Sequence, residues 1–312
     1  MWAFYRNGNT VVSLNLKTGT KIRETQDDEF KPAFAENLDV KITDACDCGC
    51  PMCYEGSTPD GKHSDIMNQK WLDTLHPHQE IALGGGNVLE YPDLVLLLHK
   101  LKNKNVIANL TVNQKHFLKD FDLIKQLYDE GLVHGIGVSL VSPTEELIEK
   151  VRQIPTVVIH TIAGVTPLGH YLALRNKKLK ILILGYKDLR RGLEYRMDEG
   201  QKIDVIQKSL RQNLHQNLKD WKKSFATISF DNLALTQLRM KEVLSKDEWE
   251  RFYQGEEGSQ TFYIDAVKGT FSESSVAPMN ERYELLDSVD EMFKVIQNKA
   301  AKEPEEVERV RL

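Results

Sequence analysis

A chain of 312 residues, 41% hydrophobic and 28% charged, has the make-up of a soluble globular protein with room for one large domain or two ordinary ones. Its net charge of −5 disfavours a general nucleic-acid binder, and no run approaches the roughly 18 apolar residues of a membrane span. The opening MWAFYRNGNT lacks a basic stretch followed by an apolar one, so no secretory leader is expected, and a reducing, cytoplasmic setting is. Residues 1–36 read as a small β-element, because WAFYRNGNTVVSLNL places an Asn7-Gly8 turn between two β-prone runs and KTGTKIRET adds a third strand. From residue 37 to 190 short apolar runs alternate with helical stretches. LDVKIT, EIALGG, NVIANLTVN, HGIGVSLV, TVVIHTIAGV and KILILGYKD are six strand candidates, with helices between them and Ser142 or Thr144 as a cap for one. Such alternation implies an α/β fold with a parallel sheet, doubly wound or barrel-like. Residues 191–295 read as an α+β carboxy-terminal extension, and 296–312 as a charged tail.

All four cysteines lie within eight residues, in DACDCGCPMCYEGS, directly after LDVKIT. Neighbouring thiols staple nothing distant, so a disulfide framework is not expected. A structural zinc site normally takes four ligands in two separated pairs, and no second pair exists. A redox pair, Cys50 with Cys53, leaves Cys46 and Cys48 unexplained. Cys46, Cys50 and Cys53 fit C-x3-C-x2-C, and three thiolates in a tight loop suit a [4Fe–4S] cluster with one open iron. Cys48 reads as a bystander.

On this loop and its position after a first strand, the chain resembles the radical S-adenosylmethionine superfamily. LGGGN, LGYK and SFDNLA extend the likeness to uncharacterised phage and bacterial members. The resemblance implies a partial (β/α)6 TIM-like barrel over residues 37–190. It implies a cluster on Cys46, Cys50 and Cys53 whose fourth iron is chelated by S-adenosylmethionine. Reductive cleavage would then give a 5′-deoxyadenosyl radical that abstracts hydrogen from substrate, with electrons from a partner such as flavodoxin or ferredoxin. Tyr54, after the last cysteine, also matches the family. Aligned on Pro92-Asp93-Leu94, the family's Gly-Gly-Glu falls on Gly85, Gly86 and Asn87, where the amide accepts a hydrogen bond without bringing charge. Thr111 and Asn113 resemble the end of the third strand, and Ser139 stands where the family often holds a ribose.

In LDVKIT, Leu38, Val40 and Ile42 share one face, with Asp39, Lys41 and Thr43 on the other. If the apolar face packs on helices, Asp39 and Lys41 point inward, and Lys187 and Asp231 join them as candidate catalytic or substrate residues. A lumen with both signs of charge implies a polar substrate. No cysteine follows Cys53, so no auxiliary cluster is expected. Residues 202–223 hold six Lys/Arg against two Asp, with Trp221 as the one interleaved aromatic; nucleic acid is the lesser reading and a solvated helix face the greater. The rival to a radical enzyme is a non-catalytic metal-binding or iron–sulfur regulatory protein on the same scaffold, for which Asn87 is the main argument.

Overall fold

The computed structural model describes residues 2–309. Its amino-terminal part is a separate antiparallel sheet of β1 (Trp2–Asn7), β2 (Thr10–Asn15) and β3 (Lys21–Glu24). Asn7 pairs with Thr10, so the turn residues are Gly8 and Asn9, one position later than expected, and Gly8 supplies the required positive φ of 60°. Asn7 is a buried tie instead. Its amide donates to Phe34 O at 2.9 Å and accepts from Ala33 N at 2.8 Å, fastening the hairpin to the segment that leads into the main sheet.

The main sheet has ten strands. β4 (Asn37–Thr43), β5 (Glu80–Gly85), β6 (Ile107–Asn113), β7 (Gly135–Ser139), β8 (Val157–Ile162), β9 (Lys180–Leu184) and β10 (Thr227–Phe230) lie side by side in chain order, all parallel. β11 (Thr261–Asp265) returns to the free side of β4 and runs parallel to it. β12 (Thr270–Ser272) and β13 (Tyr283–Glu284) continue antiparallel to the edge. Residues 191–295 supply four strands of the same sheet.

The helices are α1 (Leu94–Asn103), α2 (Gln114–Lys119), α3 (Phe121–Asp129), α4 (Glu145–Arg152), α5 (Leu168–Leu174), α6 (Arg191–Ser224), α7 (Asn232–Gln237), α8 (Lys246–Phe252) and α9 (Val289–Arg309). The tail residues up to Arg309 thus continue α9, and 310–312 lie outside the described residues. Thr144 caps α4 by accepting from Leu147 N at 3.2 Å. In α6, Ile203, Leu210, Leu214 and Trp221 form one buried stripe; non-helical backbone at Glu199 precedes it and at Asn217 interrupts it.

Sequential strand order with right-handed crossovers puts the connecting helices on one face. That face carries the core: Leu38, Val40 and Ile42 of β4, Ile81 and Leu83 of β5, and Ile181 and Ile183 of β9 are all buried. The alternate residues, among them Asp39, Asn109, Thr111, Ser139, His160 and Tyr263, line a cavity of about 1120 Å³ on the other face. Thr18 and Gly19, from the turn between β2 and β3, line it beside the amino ends of the strands; the cysteine loop lines it beside the carboxyl ends.

Candidate functional site

The cysteine loop leaves β4 at Thr43, whose hydroxyl accepts from Ala45 N at 3.0 Å and bonds His63 Nδ1 at 2.9 Å. Asp44 N donates to Lys62 O at 2.8 Å and Cys46 N to Thr58 O at 2.9 Å, so the two limbs of the loop are zipped together. Cys53 N to Cys50 O (3.2 Å) and Gly56 N to Cys53 O (3.1 Å) close the turns between them. All four cysteines are free, half-buried and exposed to the cavity. Burial pushes the Cys46 and Cys50 thiols up, and the neighbouring Cys53, with Cys46 in the case of Cys50, pushes them further. Clustered thiols held back from ionising, as Cys46 and Cys50 are, suit a metal group that takes them as thiolates and neutralises them.

Two buried charge systems hold this loop. Beneath it, Lys41 is 1% exposed and pairs with Asp44 at 2.5 Å, Glu55 at 2.9 Å and Asp265 at 3.5 Å. Burial alone would draw the Lys41 ammonium down, but Glu55, Asp44 and Asp265 outweigh it and hold it up. Burial likewise pushes Glu55 up, and Lys41 and Arg190 reverse this and hold it below the usual range. Lys41, expected to face substrate, lines the cavity and is paired there with three carboxylates of the protein. From the side, the start of α6 clamps the loop. Arg191 donates to Cys50 O at 3.2 Å and Ser57 O at 2.9 Å, and Arg190 to Glu55 O and to its carboxylate, the latter at 3.2 Å.

The strand ends fall out as follows. A methyl on Gly85 would strike Thr43 O and one on Gly86 would strike Ala45 O, so these glycines let β5 pack against the root of the loop, while Gly84 is open to the cavity. Asn87 is buried outside the cavity lining. Its side chain accepts from Leu89 N at 3.3 Å and donates to Glu90 at 3.1 Å, capping a short turn rather than facing a ligand. Asn113 lies against the loop, its amide 3.6 Å from Cys50 Sγ. Ser139 pairs in register with Asn113 and faces the cavity. Tyr54 lies under Lys187, whose ammonium is 4.0 Å from the ring centre and 2.8 Å from Ser275 Oγ.

Lys187 shares the cavity with Asp39, Asp231 and Glu257. Burial pushes all three carboxyls up, against the pull of Lys187. Asp231 Oδ1 accepts from Ala234 N at 2.7 Å and Gly185 N at 2.9 Å, so one carboxylate oxygen is used by backbone. His160 lies over Gly137; burial draws its ring down to about 4, which keeps it neutral, and its Nδ1 has no partner among the described residues.

Sequence reasoning missed Glu55, Glu257, His160, Arg190, Arg191 and one residue more. His116, in α2, is buried with Nε2 3.4 Å from Cys48 Sγ and 2.6 Å from Asp47. The arginine pair before Gly192 was a readable signal; no local signal marked the others.

The molecule is therefore an α/β protein whose largely parallel sheet shares one cavity with a four-cysteine loop, and among the described residues no helix is long and apolar enough to cross a membrane. Neither a protein-family model nor a curated protein matches the sequence. Among solved structures, the chain is similar to Streptococcus suis SuiB bound to S-adenosylmethionine, with TM-score 0.57 and 9% identity over 91% of this chain and 84% of that one. SuiB bound to the precursor peptide SuiA gives TM-score 0.54, with 9% identity over 87% and 81%. At that identity the likeness is one of fold.

Proposed function

We propose that the protein is a radical S-adenosylmethionine enzyme acting on a polar substrate. One observation carries the reading: three half-buried thiols of a C-x3-C-x2-C loop, at the carboxyl end of the first strand of the parallel sheet, open into the cavity that the other strand ends share. Cys46, Cys50 and Cys53 would hold a [4Fe–4S] cluster. When bound, it would supply the electron that cleaves S-adenosylmethionine into methionine and a radical able to take hydrogen from substrate. Asn113 buttresses the loop through Cys50, and Ser139 and Gly84 offer a hydroxyl and an open backbone for the cofactor. Lys187, Asp39, Asp231 and Glu257 would orient the substrate. The fold shared with a protein solved with S-adenosylmethionine supports this reading, as does a neighbour solved with a peptide.

The sheet is read as wrapped into a partial barrel. Eight flat strands at about 4.8 Å spacing would spread over roughly 34 Å, yet residues of β4 to β11 all line one cavity of about 1120 Å³. A flavodoxin- or ferredoxin-like reductant and a cytoplasmic setting go with the reading.

The rival, a non-catalytic metal-binding or iron–sulfur regulatory protein on the same scaffold, is favoured by Asn87, which leaves the cofactor ammonium without the family's acidic partner. The test is anaerobic reconstitution with iron and sulfide, reduction, and incubation with S-adenosylmethionine. Cluster absorbance with 5′-deoxyadenosine, both lost in Cys46→Ala, Cys50→Ala and Cys53→Ala, is expected. A cluster with no 5′-deoxyadenosine supports the iron–sulfur form of the rival, and no cluster defeats the radical reading.

A further inference from the structure

We infer that Cys46, Cys48 and His116, with Asp47 completing the shell, form a site for a single thiophilic divalent cation of the zinc class. One ligand atom from each of the four lies within 4.8 Å of all the others. Tetrahedral zinc with its usual bond lengths spaces its ligands roughly 3.3–3.8 Å apart, so modest side-chain movement closes the set. The arrangement supplies what the sequence lacked, a ligand from a second segment. His116 is 68 residues from Cys48, and β6 and α2 bring it under the loop.

The histidine is only 3% exposed; its Nε2 lies 3.4 Å from the Cys48 thiol and 2.6 Å from the Asp47 carboxylate, and its Nδ1 lies 3.8 Å from the same thiol. Among the described residues its ring has no other side-chain partner. A buried imidazole turned toward a thiol and a carboxylate of one loop has the chemistry of a zinc ligand. Cys46 and Cys48 flank Asp47, where the chain bends, and their thiols lie within 4.8 Å of one another. Asp47 is largely exposed, which puts solvent on its side of the ion.

The site shares Cys46 with the thiol triad. The geometry of the cation site stands on these four residues alone; its competition with a cluster rests on the reading of the preceding section. The two occupants exclude one another, and a cation on Cys46, Cys48 and His116 holds the loop in a form that takes no cluster.

The test uses the full chain, stripped of metal under anaerobic conditions and titrated with Co2+ as a spectroscopic probe, then with Zn2+ as competitor. One equivalent is expected, with thiolate-to-cobalt charge transfer and the visible bands of tetrahedral cobalt, bleached by Zn2+. Losing a direct ligand in Cys48→Ala or His116→Gln is expected to weaken binding by more than the roughly 10–100-fold that losing an outer-shell partner costs. Cys50→Ala and Cys53→Ala are expected to bind as the parent does. Absence of stoichiometric binding, or binding lost with Cys50 and Cys53 but kept in Cys48→Ala and His116→Gln, overturns the site. Thermal melts of the metal-free variants separate ligand loss from misfolding, and His116→Gln retains the side-chain volume. Zinc-loaded protein is then offered iron and sulfide. Assembly only after chelation supports exclusion, and unhindered assembly overturns it. If no form ever assembles a cluster while Co2+ binds, the radical reading falls and the cation site stands.

Discussion

Lys41 illustrates how far a single residue can depart from its pattern. Its period-2 position points it to the cavity side, but a cation beside Asp44, Glu55 and Asp265 serves the fold. Lys41→Met leaves two carboxylates that are 7% and 0% exposed, Glu55 and Asp265, with only Arg190 and Arg282 as cationic partners, and is expected to cost up to about 3–5 kcal/mol, read from urea unfolding. The loss should depend on pH with a definite sign. Glu55 is held below its ordinary value, so its contribution is complete above the usual carboxylate range and fades as pH falls through the depressed value. Lys41 is held above its own, so its share is complete below about pH 10 and fades as pH rises past that. The gap between Lys41→Met and the parent should thus be widest from roughly pH 5 to 10. A gap that does not change between pH 3 and 7 would exclude the pairing. Asn87 gives a second case. Glu at this position would face Glu90 and give up a cap, so Asn87→Glu is expected to lose about 1–3 kcal/mol rather than to tighten S-adenosylmethionine. Calorimetric titration alongside unfolding separates these outcomes.

Among the elements, the start of α6 is what holds the cysteine loop from outside the motif. Arg190 has the unusual backbone angles φ 49° and ψ −125°, which turn the helix onto the loop. Arg191 forks between Cys50 O and Ser57 O, a geometry that a lysine does not reproduce. Arg191→Ala is expected to retain most of its unfolding free energy, losing at most about 2–3 kcal/mol, while a reconstituted cluster bleaches faster under a chelator. Arg191→Lys should recover only part of that lifetime; equal bleaching in all three proteins would show that the clamp is irrelevant to the loop. The elements were legible where burial is one-sided. Leu38, Val40 and Ile42 alternate with Asp39 and Lys41 because one face packs on helices, and the cysteine spacing is a local feature that survives without a structure. The unread parts depend on long-range contact. β11 joins the far side of β4, although chain order would place it beside β10. His116 meets Cys48 only through the pairing of β6 with β5 and β5 with β4. A run of glycines does not disclose which one faces open space, and here it is Gly84.

Across the whole molecule, the proposed function divides the cavity between two tasks. The cysteine loop, Asn113 and Ser139 occupy the carboxyl ends of β4, β6 and β7, while Lys187, Asp231 and Glu257 come from segments after β9, after β10 and before β11. The basic stretch 202–223 lies in α6, where Trp221, the one aromatic there that could stack on a base, is fully buried. Cofactor cleavage and substrate conversion should accordingly come apart by mutation. Lys187→Ala removes the cavity-facing ammonium that rests on Tyr54, and Asp231→Asn neutralises a carboxylate while leaving Oδ1 to accept from Ala234 N and Gly185 N. Asp231→Ala is the poorer probe, since losing a helix cap costs about 0.5–2 kcal/mol by itself. Both informative variants are expected to melt with the parent, to carry the same cluster absorbance, and to release 5′-deoxyadenosine slowly in reductant. In cells, both should fail to restore whatever metabolite difference separates cells with the protein from cells without it. A normal melt and cluster without 5′-deoxyadenosine would move the residue to the cofactor's side of the cavity. Full restoration of the metabolite difference would remove it from the site, because a substrate gripped through charge at this end does not turn over normally once that charge is gone.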